Sequence, residues 1–395
     1  ESMLAINGGN IIVNAQGDGI DMNGNGEMND GSLTIYGPTS GGDGAIDYAG
    51  IFNVNGGTLL AGGSSMMALL PSDTSKVNSL MIDASNDTQI KDEEGNVTLE
   101  TSDKAGYYDA APRDKGENLR RKIVKTLKNM GFEVEASHHE VAKGQHEVDF
   151  KYADALTTAD NIMTFKYVVK AIAEESGAYA TFMPKPIFGI NGSGMHCNLS
   201  LFKNGKNVFY APDRMYELSR EALYSIGGLL KHVKSFTAIT NPIVNSYKRL
   251  VVGYEAPVYL AWSLANRSAL IRVPAKRGEA TRVELRSPDP SCNPYLALAA
   301  IFEAIIDGVE NKIEPPLQVE ENIYEMTSKE LKRAKIDSLP SSLDEALDLL
   351  EKNQTVKDAL GEHIVHEFLE TKRKECDMFR TYVSPLEIET YLPMH

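Results

Sequence analysis

The chain has 395 residues, 42% of them hydrophobic, and a formal net charge of -15, which leaves room for two domains and a large buried core without staples. A pI near 5.1 argues against nucleic acid or an anionic membrane as a partner, because both select basic surfaces, and leaves cations as possible ligands. No run of about 18 apolar residues indicates a membrane span, and three cysteines without metal-like spacing, Cys197, Cys292 and Cys376, fit a reducing compartment.

The start at Glu1, without a signal-type apolar stretch, fits a fragment or a processed end. Half of the 32 glycines fall before residue 64 and no Lys or Arg precedes Lys76, whereas the rest is lysine-rich and helix-forming. Such a shift marks a boundary between architectures, expected near residue 87 and giving domains 1–86 and 87–395. In the first, turns at Gly9, Gly31 and Gly57 recur 22 and then 26 residues apart, each followed by a short strand: Asn10 to Val13, Ser32 to Ile35, Thr58 to Ala61. Strands this short cannot bury a face alone, so stacking in a solenoid is expected. The segment resembles the secreted carbohydrate-binding β-helix domains of cellulolytic bacteria, which implies a short right-handed parallel β-helix fragment.

Asp21-x-Asn23-x-Asn25-Gly26 matches the first half of an EF-hand loop, but Ser32 stands where the closing Glu belongs. The alternative is an Asn/Asp/Gly turn satisfying its own backbone. Ca2+ held between turns by Asp18, Asp21 and Asp43 is a separate expectation.

From Asp92 the pattern becomes mixed α/β. Asp114 to Gly131 reads as a helix with Asp114 and Glu117 as a capping box and an apolar face of Leu119, Ile123, Val124, Leu127 and Met130. Thr158 to Glu175 is a second helix, closed by Gly177. Asn293 caps a third, with Pro294 at its first position.

Polar strands lie between the helices. VEASHHEVAKGQHEV (134–148) reads as a hairpin turning at Lys143-Gly144 and placing Glu140 across from Glu147. Two converging carboxylates repel unless a cation sits between them, and hard oxygen ligands suit Mg2+ or Mn2+; the alternative is a solvated face. Of His138 and His139, one is expected packed and the other solvated. NGSGMHCNLSLF (191–202) runs from a glycine loop into a strand presenting His196, Asn198 and Ser200 on one face, with His196 either a metal ligand or structural. In RVELRSPDP (282–290), Arg282, Glu284 and Arg286 share a face, an arrangement suited to phosphate oxygens around a metal or to a surface ion-pair ladder. Arg249, Glu255, Arg267 and Arg272 interrupt an otherwise apolar stretch, where isolated charges need a reason.

These segments, together with ATFMPKPIFG, NSYKRLVVGYEAP and RVELRSPDPSCNPYLALAA, follow one another as in bacterial type I glutamine synthetases. The segment after Gly308 resembles the non-adenylylated, feedback-regulated subtype. The resemblance implies an α+β fold, an antiparallel β sheet or half-barrel with surrounding helices, and a cytoplasmic ATP-dependent ligase condensing glutamate with ammonium through γ-glutamyl phosphate. It implies two divalent metals per site, Mg2+ or Mn2+: one held by Glu140 and Glu147 near the glutamate, the other by His196 and Glu284 on the ATP phosphates. Arg267, Arg272 and Arg286 would contact phosphate, and Glu135, Ser200 and Arg282 would line the nucleotide site with Arg267 and Arg272. Asn191, Gly192 and Arg249, with Arg286, would bind glutamate. Glu255 would shield the acyl phosphate and take a proton from ammonium, with Tyr107 near that ammonium.

Two parts of the family pattern are missing: the preceding β-grasp domain, which carries an ammonium-site aspartate and the ring contacts of the family's stacked hexamers, and the G-P-E-x-E-F metal strand. Asp83 and Ser85 stand at the spacing of its two glutamates. Impaired catalysis is therefore expected, a ring of subunits is not implied, and a chimera is one origin for such a joint. A catalytically inert chimera acting as a glycan-binding module is the competing reading. A relative that ligates polyamines or other amines is a third, against which Tyr107, Glu140 and Glu255 are retained.

Overall fold

Strands of the glycine-rich N-terminal segment lie side by side in parallel, and Gly9 and Gly31, expected as turns, fall inside those strands with positive φ. The structure is a computed structural model that describes residues 3–38, 44–62, 69, 71–72, 101–264 and 266–394. It divides into units Glu1–Val97 and Thr98–His395. The expected boundary near residue 87, Asp43, and the Asp83 and Ser85 positions lie outside the described residues.

In the first unit, β1 (Met3–Asn14), β2 (Ile20–Met22), β3 (Asn25–Tyr36), β4 (Ile46–Tyr48), β5 (Phe52–Val54) and β6 (Thr58–Gly62) form two parallel sheets. One joins β1, β3, β5 and β6, and the other joins β2 and β4. Asn10 pairs with Ser32, and Ser32 with Thr58, although β1 and β3 are each 12 residues rather than four. Gly31 (φ +94) and Gly57 (φ +82) need to be glycine twice over. A Cβ there would lie 2.5 Å from the Gly9 carbonyl oxygen and 2.4 Å from that of Gly31. Met28, Leu33, Ile35, Phe52 and Val54 fill the interior. Outside it, Asn29 donates to Asn7 and Asn55 to Asn29, each at 2.8 Å, an amide ladder of the kind that stacked strands support.

The half EF-hand does not form a loop. Asp21 lies in β2 beside Asp47, and Gly26 lies in β3, where a Cβ would sit 2.6 Å from the Met22 sulfur. Asp18 Oδ1 accepts from the Gly44 amide at 2.7 Å, so that oxygen serves the backbone.

The second unit opens with α1 (Glu117–Asn129), the hairpin β7 (Val134–His139) and β8 (His146–Phe150), and α2 (Ala155–Glu175). The capping box is a correction: Gly116 is the N-cap of α1 with no side-chain cap bond. Asp114 is buried, pairs with Arg120 at 2.7 Å and accepts the Gly116 amide at 2.9 Å, ahead of the helix rather than as its cap. Ile123 and Leu127 face the small core shared with Val168 and Ile172 of α2, while Met130 is exposed. Asp154 caps α2 through the Leu156 and Thr157 amides.

After β9 (Cys197–Leu199), β10 (Phe202–Lys203) and β11 (Lys206–Asn207) come α3 (Arg220–Thr240), α4 (Ser246–Arg249), β12 (Tyr259–Ser263), β13 (Ala269–Arg272), β14 (Val283–Leu285) and α5 (Pro294–Glu310). Asn293 caps α5, and Pro294 opens it. A Cβ on Gly228 would stand 2.0 Å from the Ala304 carbonyl oxygen and one on Gly308 2.2 Å from that of Tyr224, so α3 and α5 cross at backbone contact. Their apolar faces, the sheet β12-β13-β14-β9 and later helices including α6 (Ser328–Ala334), α7 (Leu343–Lys352), α8 (Gln354–Leu360) and α9 (Glu362–Thr381) bound the core. Phe209, Leu229, Phe236, Leu270, Ile301 and Leu347 fill it. Trp262, the chain's one tryptophan, is 4% exposed and donates to the Pro316 carbonyl at 2.7 Å.

This sheet is mixed rather than antiparallel, because β12 and β13 run parallel. Short links normally join antiparallel strands. Here the chain doubles back between them, with Asn266 donating to the Val319 carbonyl and receiving the Ser268 amide. No helix among the described residues is long and apolar enough to cross a membrane.

Candidate active site

The hairpin turn is wider than a two-residue turn. Glu140 lies just beyond β7, and its amide donates to the Gln145 carbonyl at 2.8 Å, so Gln145, not Glu147, stands opposite it. Glu147 pairs with His138. The carboxylates still converge diagonally: ligating atoms of His138, Glu140 and Glu147 all lie within 4.8 Å of one another. Burial, then the neighbouring carboxylates of Asp149 and Glu140, push the Glu147 carboxyl up to about 8. The rings of Tyr108 and His138 stack at 4.4 Å, and Tyr107 meets His138 edge-on.

Neither histidine is solvated, which corrects the expectation for the pair: His138 is 8% exposed and His139 fully buried. Beneath the hairpin, His139 contacts the Glu140 carbonyl through Nδ1 at 2.6 Å and Asp103 through Nε2 at 3.0 Å. Both partners are acceptors, so a ring nitrogen that carries a proton donates to the one it faces. Asp103 also receives the amides of Ala105, Lys115 and Gly144. These bonds outweigh burial, which alone would raise its pKa, and the net shift is downward. Arg120 donates to His146 Nδ1 at 2.8 Å. Burial and that guanidinium take His146 down to about 4, leaving the ring neutral. This network under Glu140 escaped the sequence reading because its members are scattered from Asp103 to His146.

Gln145 ties the hairpin to the glycine loop, donating to the Gly192 carbonyl at 2.9 Å and to Ser193 Oγ at 3.2 Å. A Cβ on Gly192 would lie 2.2 Å from the Pro184 carbonyl oxygen, which excludes a side chain there, and one on Gly194 would lie 2.6 Å from an Arg249 nitrogen, which would have to give way. Beyond the loop, β9 buries Cys197 and Leu199 and turns His196 and Asn198 outward, with Ser200 half-buried just past its end.

Glu284 pairs with Asn198 of β9 on one side and Arg272 of β13 on the other. Its carboxylate accepts from the Arg272 guanidinium and stands 3.7 Å from His196 Nδ1. Although a third of its side chain is exposed, the protein around His196 strips it of water and, with Arg286, Arg249 and Arg272 nearby, holds that imidazole well below its ordinary range, in the neutral form that ligates metals. Glu284 and Arg286 are 5% and 7% exposed, which excludes a surface ion-pair ladder. Arg282 donates to Asn198 at 2.8 Å, and Arg286 to the Arg267 carbonyl.

Arg249 is 3% exposed and donates to the carbonyls of Ser287 at 2.6 Å and Arg286 at 3.2 Å. Two of its guanidinium nitrogens therefore shape the backbone rather than reach outward. Burial, with Arg286 nearby, lowers its pKa to about 10. Asn191 donates to Glu255 at 3.2 Å, and Glu255 has a left-handed backbone, φ 57. Burial and then Glu140 raise the Tyr107 hydroxyl above its ordinary range, with the Arg267 guanidinium working in the other direction. Glu135 is exposed near the start of β7, at the end of the hairpin away from Glu140.

The family model described as glutamine synthetase, catalytic domain, matches residues 72–391, beginning upstream of Asp92. A glutamine synthetase of Clostridium saccharobutylicum is 60% identical over 301 residues, covering 76% of this chain and 68% of that protein. Among solved structures, a GmaS/ADP complex matches with a TM-score of 0.69 and 34% identity over 76% of this chain and 70% of that one. The structure of Plasmodium falciparum glutamine synthetase matches with a TM-score of 0.67 and 32% identity over 78% and 68%.

Proposed function

Because the chain belongs to the glutamine synthetase family of glutamate–ammonia ligases, we propose that its second unit condenses glutamate with ammonium at the expense of ATP, through γ-glutamyl phosphate. The observation that carries this reading is the convergence of His138, Glu140 and Glu147. Glu147, pushed up to about 8 by burial and by Asp149 and Glu140, marks negative charge without a counter-ion. An oxygen-rich, unneutralised donor set fits a hard divalent cation such as Mg2+ or Mn2+.

Glu140 and Glu147 hold one such ion near the glutamate, and His196 and Glu284 hold the other near the ATP phosphates. When bound, the metals supply charge to meet the oxygens of the transferring phosphoryl group. Arg267, Arg272 and Arg286 add fixed donors there, while Glu135, Ser200 and Arg282 border the nucleotide. Asn191 and Gly192 take the glutamate together with Arg286. Arg249 acts on the same pocket, with two of its nitrogens spent on the Ser287 and Arg286 carbonyls. Glu255 covers the acyl phosphate and accepts the proton that ammonium gives up, with Tyr107 beside it. The ligase works in the cytoplasm, and more slowly than its relatives, because Asp83 and Ser85 stand in place of two metal-binding glutamates.

The first unit is a stretch of parallel β-helix of the carbohydrate-binding kind. The parallel register at 22 and 26 residues and the Asn7–Asn29–Asn55 ladder support that part. An ATP-dependent γ-glutamyl hydroxamate assay with glutamate, hydroxylamine and Mg2+ tests the ligase. Product that requires all three is expected. None at any protein concentration would leave the inert, glycan-binding reading.

A further inference from the structure

Lys185 is 8% exposed, and among the described residues its ammonium pairs with no carboxylate. Burying a cation without a counter-charge is costly unless its donors are used. Here they are: Nζ donates to the Ile190 carbonyl and sits over the Tyr254 ring, 3.7 Å from its centroid. Each of these partners immediately precedes a residue of the site, Ile190 before Asn191 and Tyr254 before Glu255. Those two residues bond each other at 3.2 Å.

The anchor itself is fixed. Asn245 receives the Lys185 amide at 2.8 Å and donates to the Lys185 carbonyl at 3.0 Å, and Asn245 directly precedes α4, which ends in Arg249. Beyond Glu255 the segment is anchored at Ala256, which is buried and accepts from the Tyr324 hydroxyl at 2.8 Å, but on the other side little else among the described residues holds Tyr254 and Glu255. Val251 and Val252 are exposed, Gly253 and Glu255 both take positive φ, and the left-handed conformation of Glu255 is one that a non-glycine residue keeps only when surroundings impose it.

We propose that Lys185 is a positioning residue that latches the Tyr254–Glu255 flap onto the Ile190–Asn191 loop, so that the site stays closed while the acyl phosphate exists. The role rests on the ligase reading above. Its chemical consequence is coupling. With the flap open, water attacks the γ-carbonyl of γ-glutamyl phosphate, the acyl C–O bond to phosphate breaks, and glutamate and inorganic phosphate leave, so that ATP is spent without glutamine.

Two measurements on the full chain test this. The first is amide hydrogen exchange of residues 190–193 and 251–256 in the absence of nucleotide and metal. Lys185→Met, which keeps the stem and removes the charge, should speed exchange in both segments by at least about tenfold while the hairpin and α4 stay protected. Lys185→Arg and Tyr254→Phe, which keep the cation and the ring, should stay near wild type, and Tyr254→Leu should behave like Lys185→Met. The second is inorganic phosphate released per glutamine formed, which should rise in Lys185→Met and Tyr254→Leu and return in Lys185→Arg. Unchanged exchange in a folded Lys185→Met, or loss of protection spread equally over α4 and the hairpin, overturns the latch. If Lys185→Met does not fold, Tyr254→Leu, altered at a half-buried ring, decides in its place. If wild type releases no glutamate-dependent phosphate, the ligase reading fails, and exchange alone decides whether the latch exists.

Discussion

The Arg272 guanidinium donates to the Glu284 carboxylate across adjacent strands β13 and β14. One proposed metal ligand is thus already neutralised by one proposed phosphate contact, and its other neighbour, His196, is held in the neutral form. Mg-ATP would divide this pair, with the metal meeting Glu284 and the phosphate meeting Arg272, so that neither charge is left buried alone.

It follows that Glu284→Ala and His196→Ala should each weaken Mg-ATP binding by at least about tenfold in titration calorimetry. Metal-free ATP should bind Glu284→Ala no more weakly than wild type, because Arg272 is released toward phosphate. Unchanged Mg-ATP affinity in both variants would remove His196 and Glu284 from the metal assignment.

Glu147 makes the metal-free protein pH-sensitive. Its carboxyl is raised from 4.5 to about 8 in the folded chain, so the unfolded chain gives up the proton first. The associated stability is complete below the unfolded value and is lost as pH rises through the folded one. Thermal unfolding in chelator should therefore show a midpoint falling between about pH 5 and 8, with the fall reduced in Glu147→Gln. Mg2+ should release a proton on binding and bind more tightly as pH rises through that window.

Asp103→Asn places an amide nitrogen among the donors of His139, Ala105, Lys115 and Gly144. The loss should be about 3 kcal/mol in urea unfolding, the usual cost of breaking a buried charged pair, with faster amide exchange in β7 and β8. The carboxylate's lowered pKa means that its stabilisation is present above the ordinary value of 3.8 and is lost as pH falls through the folded value. The variant should accordingly lose part of the wild-type acid transition.

In the first unit, Phe52 is fully buried between the two parallel sheets. Phe52→Ala should cost about 3 kcal/mol by leaving a cavity, read as faster amide exchange in β3 and β5. Exchange like that of wild type would mean that this interior collapses around the missing ring.

What the sequence revealed was local. Asn293 and Pro294 announced α5 because a cap and its helix are neighbours, and the glycines at 31 and 57 mattered because a positive-φ backbone is needed where they stand, although Gly31 lies inside β3 rather than in a turn. Register was less accessible. The 134–148 segment reads as a hairpin, but the residues of its turn, not its alternation, decide that Glu140 faces Gln145 and Glu147 faces His138. The buried network beneath it was illegible, because Asp103, Asp114, Arg120, His139 and His146 form no pattern along the chain and acquire meaning only once the hairpin folds over them. The parallel pairing of β12 with β13 was hidden for a related reason: the link between them is tied down by Asn266 donating to the Val319 carbonyl, more than fifty residues away.

Trp262 lies inside the second unit's core, four residues after Val258. As the only indole in the chain, it makes intrinsic fluorescence a single-site optical probe. An emission shift on heating or on adding substrates reports the ligase core around β12. The same signal is blind to melting of the parallel strands, whose tyrosines Tyr36 and Tyr48 give no comparable emission, so a smooth fluorescence transition would certify only one half of the molecule.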